Sequence, residues 1–212
     1  MGNIILLGAP GSGKGTQSEK IIAQFGYNHV STGDIIRDNI RNNTAKGNLA
    51  KKYSEQGKLV PDDLMIEMLE DYLQTVQGGI IWDGFPRTVN QAEKLDELLA
   101  KRNAKVDHTL YFEIAESKLI DRIMGRLICP TCKRTYHITF HPPKVAGICD
   151  YDQTPLVRRA DDTAEKVQVR LAEYKRDTEP LVQYYLNKQN LSVIDADMEG
   201  DAVWNQIVAI IK

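Results

Sequence analysis

The chain is poor in cysteine. Three thiols cannot close a disulfide framework, and 212 residues can bury an apolar core without one. Long apolar runs are also missing, since none approaches the roughly 20 residues of a membrane span. Nor is there a surplus of positive charge. Lys and Arg number 27 against 29 Asp and Glu, a formal net charge of −2. That excludes the broad basic footprint of a protein that lives on nucleic acid. The first residues run straight into Ile4-Ile5-Leu6-Leu7, with no basic region and no cleavage site before them. Leu6 stands where a myristoylation motif starting at Met1-Gly2 needs Ser or Thr. No repeat or low-complexity tract interrupts the chain. These absences predict a cytoplasmic protein with no membrane span.

What is present has an alternating rhythm. Short apolar runs at residues 4–7, 80–83, 109–112 and 191–194 suit strands buried on both faces. Helical patterns cover residues 13–25, 62–76, 89–102, 116–127, 161–186 and 200–211. Strands alternating with helices predict an α/β fold around a parallel sheet. Two segments break the rhythm. Residues 31–60 read as two short helices without a strand. Residues 128–159 hold all three cysteines and four of the eight prolines, with no helical period. Both are predicted to be insertions into a core made of residues 1–30, 61–127 and 160–212.

Gly8-Ala9-Pro10-Gly11-Ser12-Gly13-Lys14-Gly15-Thr16 follows the first strand and opens a helix. Gly8, four residues, then Gly13-Lys14 is the spacing of a phosphate-binding P-loop. Its glycines let backbone N–H groups converge on phosphate oxygens, and the helix terminus adds partial positive charge. Lys14 would reach the β- and γ-phosphates. Gly15 occupies the place where a hydroxyl ligand to Mg²⁺ usually stands, and the hydroxyl arrives one residue later, at Thr16.

Several arginines surround this loop in sequence. Arg122 and Arg126 are four apart on the one helix predicted over 116–127, so they share a face. Arg159 and Arg170 are eleven apart, about three turns, if a helix already includes Arg159. Arg37 and Arg87 each follow a glycine-containing turn. Gathered together, such like charges need an anion, and guanidinium forks match phosphate oxygens in pairs. Asp83 ends an apolar strand, where a carboxylate can hold Mg²⁺ through water. Asp34 is a second candidate for that ion and equally a candidate helix N-cap. His29, His108, Trp82, Trp204, Met65, Met68 and the pair Tyr184-Tyr185 read as packing.

Cys129 and Cys132, then Cys149 and Asp152, are two pairs with zinc-knuckle spacing. Asp152 would supply the fourth ligand, with His137 and His141 as rivals lacking that spacing. Four protein ligands would leave no open position, so the metal would be structural.

Taken together, the stretch from Gly8 to Gln17 resembles the start of the nucleoside monophosphate kinases, and of the adenylate kinases among them. The likeness continues through Ser31-Thr32-Gly33-Asp34 with Arg37, through Asp83-Gly84-Phe85-Pro86-Arg87-Thr88 with Gln91, and through Arg122 and Arg126. It ends with Arg159, Asp161, Asp162 and Arg170. Gly15 after the lysine is that family's normal form. The resemblance implies a P-loop nucleoside triphosphate hydrolase-like core with two mobile insertions. It implies reversible transfer ATP + AMP = 2 ADP with Mg²⁺, by a monomer that binds neither nucleic acid nor membrane. Gly11, Ser12, Gly13, Lys14, Gly15, Thr16, Arg122, Arg126 and Tyr136 would attend ATP. Thr32, Arg37, Val60, Gly84, Arg87, Gln91, Arg159 and Arg170 would attend AMP. Lys14, Arg87, Arg122, Arg126, Arg159 and Arg170 would be the catalytic set. The lids of some members carry the Cys, Cys, Cys, Asp zinc arrangement. Tyr136 lies near the ATP adenine or in an exposed turn. The rival readings are a kinase of UMP, CMP or GMP, and a P-loop ATPase whose zinc ribbon binds nucleic acid.

Overall fold

The computed structural model describes residues 2–74 and 76–212. Met1, which opens the predicted core, and Thr75, inside the helix predicted over 62–76, lie outside the described residues. A five-stranded parallel sheet forms the centre, in the order β2-β3-β1-β4-β7. Its strands are β1 (Asn3–Gly8), β2 (Asn28–Ser31), β3 (Ile80–Asp83), β4 (Val106–Glu113) and β7 (Leu191–Asp195). All six residues of β1 are buried, as expected of the middle strand of a parallel sheet. Alternate side chains point to opposite faces. Ile5 and Leu7 join one apolar cluster with Val30, Trp82 and Leu95, while Ile4 and Leu6 join another with Ile81, Phe112 and Ile207.

The helices are α1 (Lys14–Phe25), α2 (Thr32–Arg41), α3 (Ala45–Ser54), α4 (Asp62–Leu73), α5 (Val89–Lys101), α6 (Glu116–Met124), α7 (Ala164–Glu173), α8 (Pro180–Asn187) and α9 (Gly200–Ile211). Among the described residues, no helix is long and apolar enough to cross a membrane. A small antiparallel pair, β5 (Arg126–Ile128) and β6 (Thr135–His137), starts the cysteine-bearing segment.

Three sequence expectations are corrected. Strand β2 was not foreseen, because Asn28-His29-Val30-Ser31 offers one apolar residue and lies at the sheet edge. The helix predicted over 116–127 stops at Met124. A Cβ on Gly125 would stand 2.3 Å from His137 Nε2, so the glycine lets the chain turn there and pair with β6. Arg122 and Arg126 therefore do not share a helix. The helix predicted over 161–186 begins only at Ala164, after Arg159. It then loosens into a π-helical turn at Tyr174–Thr178 before α8. Such turns gather at functional sites, and this one lets Thr178 Oγ1 donate to Arg87 O at 2.8 Å.

Candidate active site

The carboxyl ends of the strands, where ligands of open parallel sheets bind, open onto a cavity of about 690 Å³. Every nucleotide-site residue predicted from the sequence lines it: Gly11 to Thr16, Thr32, Asp34, Arg37, Val60, Asp83, Gly84, Arg87, Gln91, Arg122, Arg126, Tyr136, Arg159 and Arg170. The 31–60 segment closes one side and the cysteine segment the other.

The loop between β1 and α1 builds the floor. Gly13 caps α1 at φ 95°, a left-handed conformation in which a side chain is strained. Lys14 Nζ folds back on its own loop, donating to Gly8 O at 2.7 Å, Ala9 O at 2.9 Å and Ser12 Oγ at 3.2 Å. Burial pushes the Lys14 ammonium down to about 8, and Arg87, Arg170 and Arg126 push the same way, against the pull of Asp83.

Four of the six arginines come from four separate elements, Arg87 and Arg159 come from loops, and together they press on one another. Arg87 is pushed down by burial and then by Arg170, and Arg159 by burial and then by Arg126 and Arg37. Carboxylates hold some of them. Arg126 and Arg170 share Asp162, whose side chain is 2% exposed, and Arg170 also reaches Asp161 at 3.3 Å. Arg37 pairs with Asp34 at 2.7 Å. Arg122 donates to Ala196 O at 3.1 Å and lies over the Phe140 ring. Arg159 is different, because its Nε is buried with no hydrogen-bond partner among the described residues. A buried donor without an acceptor is costly, so this wall calls for an anion.

Asp83 ends β3 below Lys14. Burial works against its carboxylate, but the His29 hydrogen bond, His29's charge, Lys14 and Arg159 together hold it below the usual range. His29 Nε2 lies 3.4 Å from Asp83 Oδ2, so the packing role expected for His29 is corrected: it lines the cavity. The edge-strand position of β2 hid that from the sequence. Asp34 is not a helix N-cap. Ser31 caps α2 one turn earlier, accepting from Asp34 N, and the Asp34 carboxylate turns to Arg37. Glu19, another residue the sequence did not flag, accepts from Thr135 N–H at 3.1 Å and ties α1 to β6.

On the opposite wall, Thr32 Oγ1 donates to Gly84 O at 2.7 Å, and Gln91 Oε1 accepts from Arg87 N–H at 2.8 Å. Both side chains are 2% exposed.

Cys129, Cys132, Cys149 and Asp152 bring four ligand atoms within 4.8 Å of one another. Cys132 Sγ to Cys149 Sγ is 3.6 Å, and Cys129 Sγ to Asp152 Oδ2 is 3.2 Å. The edge of a tetrahedron with zinc–sulfur bonds is about 3.8 Å, so the donor set and spacing fit one tetrahedral ion. His137 and His141 stand outside this cluster. Tyr136 is 2% exposed and supports it, with its hydroxyl 3.4 Å from Cys149 Sγ and accepting from Asp150 N–H.

The profile of the family described as adenylate kinase matches residues 6–190. Curated relatives named adenylate kinase resemble the chain over nearly its whole length. One from Mesoplasma florum is 47% identical, covering 97% of this chain and 98% of its own. One from Finegoldia magna is 46% identical, covering 99% and 98%. One from Clostridium tetani is 45% identical, covering 97% and 96%.

Proposed function

The chain belongs to the adenylate kinase family and is a phosphotransferase, and we propose that it passes the terminal phosphoryl of ATP directly to the phosphate of AMP inside the 690 Å³ cavity. One observation carries the site assignment: Lys14 and converging guanidiniums line a half-open cavity in which the buried Nε of Arg159 has no partner among the described residues. A pair of nucleotide phosphates would supply the missing acceptors. Gly11 to Thr16, Arg122, Arg126 and Tyr136 form the ATP side. Thr32, Arg37, Val60, Gly84, Arg87, Gln91, Arg159 and Arg170 form the AMP side.

The acceptor oxygen of AMP is already ionised, so no general base is required. The cavity suits this, since its Asp83, Asp34, Asp161 and Glu19 carboxylates are already engaged by His29, Arg37, Arg170 and Thr135 N–H. Catalysis then rests on alignment and charge. The P-loop and the arginines hold donor and acceptor in line and neutralise the charge spread over the moving phosphoryl. Mg²⁺ bound with ATP would screen the phosphates, with Asp83 holding its waters and Asp34 nearby. Residues 31–60 and 128–159 exclude water, which would otherwise make the enzyme an ATPase. Cys129, Cys132, Cys149 and Asp152 would hold zinc as a crosslink with no catalytic part. Thiols gathered as a ligand set fit a reducing cytoplasm. The enzyme works as a monomer with nucleotides as its only partners.

The test is product analysis with purified protein, Mg-ATP and AMP, UMP, CMP or GMP in turn. ADP should form at twice the rate of AMP loss, and only AMP should serve. Lys14→Met should lower the rate at least about a hundredfold. ATP loss without loss of any monophosphate would overturn the kinase reading. Consumption of another monophosphate in place of AMP would overturn the choice of base.

A further inference from the structure

Asp62 opens the first turn of α4, separated from the 31–60 segment by Pro61 alone. Its carboxylate receives three side-chain hydrogen bonds. Oδ2 accepts from Thr88 Oγ1 at 2.9 Å and from Asn90 Nδ2 at 2.8 Å, and Oδ1 accepts from Gln91 Nε2 at 2.6 Å. The other end of the Gln91 amide accepts from Arg87 N–H at 2.8 Å. The amide thus lies between a group that can only accept and one that can only donate. It can stand only one way round, and at 2% exposure no water can compensate a flip.

Orientation matters for what an amide can read. Once these two bonds are made, Gln91 keeps one Nε2–H and one Oε1 lone pair. Adenine presents an acceptor at N1 beside a donor at its 6-amino group. A 6-oxopurine presents the reverse, a donor at N1 beside an acceptor at O6. With the monophosphate fixed by its phosphate, an amide free to flip would serve both bases. A locked amide serves one.

We propose that Asp62 is a positioning residue for base selection, holding Gln91 in the orientation that accepts adenine and rejects a 6-oxopurine. This rests on the reading that Gln91 faces the base of the monophosphate. The selection is made through Gln91, and Asp62 itself touches no substrate.

The probe pair is AMP and IMP, which differ only along this edge. In Asp62→Asn, the side chain's oxygen serves the two donors Thr88 and Asn90, leaving its NH₂ against Gln91. Asp62→Ala removes the clamp altogether. In both, the ratio of kcat/KM for AMP to that for IMP should fall about tenfold or more, the scale of one misread hydrogen-bonded pair. Asp63→Asn removes a charge from the same helix turn and should leave the ratio unchanged. A purely structural role for Asp62 would lower both substrates together, and an unmoved ratio in the Asp62 variants overturns the proposal. Gln91→Leu separates the two levels. If it collapses the ratio while the Asp62 variants do not, Asp62 alone fails. If it too leaves the ratio unmoved, the reading of Gln91 fails with it. Should the Asp62 variants not fold, side-chain amide exchange in the wild-type protein decides. One Gln91 Nε2 proton should exchange slowly without nucleotide, and two fast protons would overturn the clamp.

Discussion

The two segments that cover the cavity are built by different physics. In residues 31–60, α2 and α3 have side-chain caps, Ser31 accepting from Asp34 N and Thr44 from Gly47 N. Ile35, Ala50 and Val60 belong to the main apolar cluster, together with Ile5, Trp82 and Leu95. This cover is an outgrowth of the core. Residues 128–159 have no such share. Cys129, Tyr136 and Cys149 form their own small cluster, backed by Leu127 and Leu156. Ile138, Phe140, Val145 and Tyr151 are all more than half exposed. A segment with so few buried side chains needs another source of order, and the four convergent ligand atoms supply one. One cover is therefore held by apolar burial, and the other gathers four ligand atoms where a core would be, which is why we propose that zinc holds it.

Removing the zinc proposed for this cluster is the strongest way to break this comparison. A zinc chelator, or Cys149→Ser, should unfold residues 128–159 and lower phosphoryl transfer at least about a hundredfold. Limited proteolysis should then cut within that segment and spare 31–60. Equal cutting of both segments, or none with activity intact, would erase the distinction. A smaller effect sharpens it from the other side. In Gly47→Ala the new Cβ would lie 2.3 Å from Asn39 O, forcing α3 away from α2. Overpacking of this kind costs about 1–3 kcal/mol, with helix propensity giving back up to about 1 kcal/mol. Because this cover shares the main core, calorimetry should show a lower Tm for the whole molecule, by a few degrees. The KM for AMP should rise while that for ATP holds. A shift confined to ATP would contradict the assignment of the two sides.

The sequence was most legible where one local rule governs the chain. The buried strands β1 and β3 read as apolar runs, and the P-loop read as glycines at fixed spacing before a helix. The gathering of Cys129, Cys132, Cys149 and Asp152 followed from two knuckle spacings. Legibility failed where tertiary contacts decide. The edge strand β2 has too little apolar character to announce itself, and His29 was misread with it. Arg126 left the predicted helix because Gly125 must admit the approach of His137. The π-helical turn at Tyr174–Thr178 has no periodic signature, yet it delivers Thr178 to Arg87. The Asp62 clamp joins residues 26 to 29 apart in sequence, and no motif marks it.

The central claim is that the cavity is a preformed gathering of partly buried cations completed by polyphosphate. Lys14 reports on it most directly. Its pKa is pushed down to about 8 in the free protein, chiefly by burial, so at about pH 9 most of the lysine is neutral. A bound triphosphate would favour the ammonium and raise that pKa. ATP binding should therefore take up protons at about pH 9, and little at about pH 7, where the lysine is already charged. Calorimetric titration in buffers of different ionisation enthalpy measures this. The expected result is an uptake of more than about half a proton per ATP at the higher pH, lost in Lys14→Met. No uptake, or release, at about pH 9 would contradict the account.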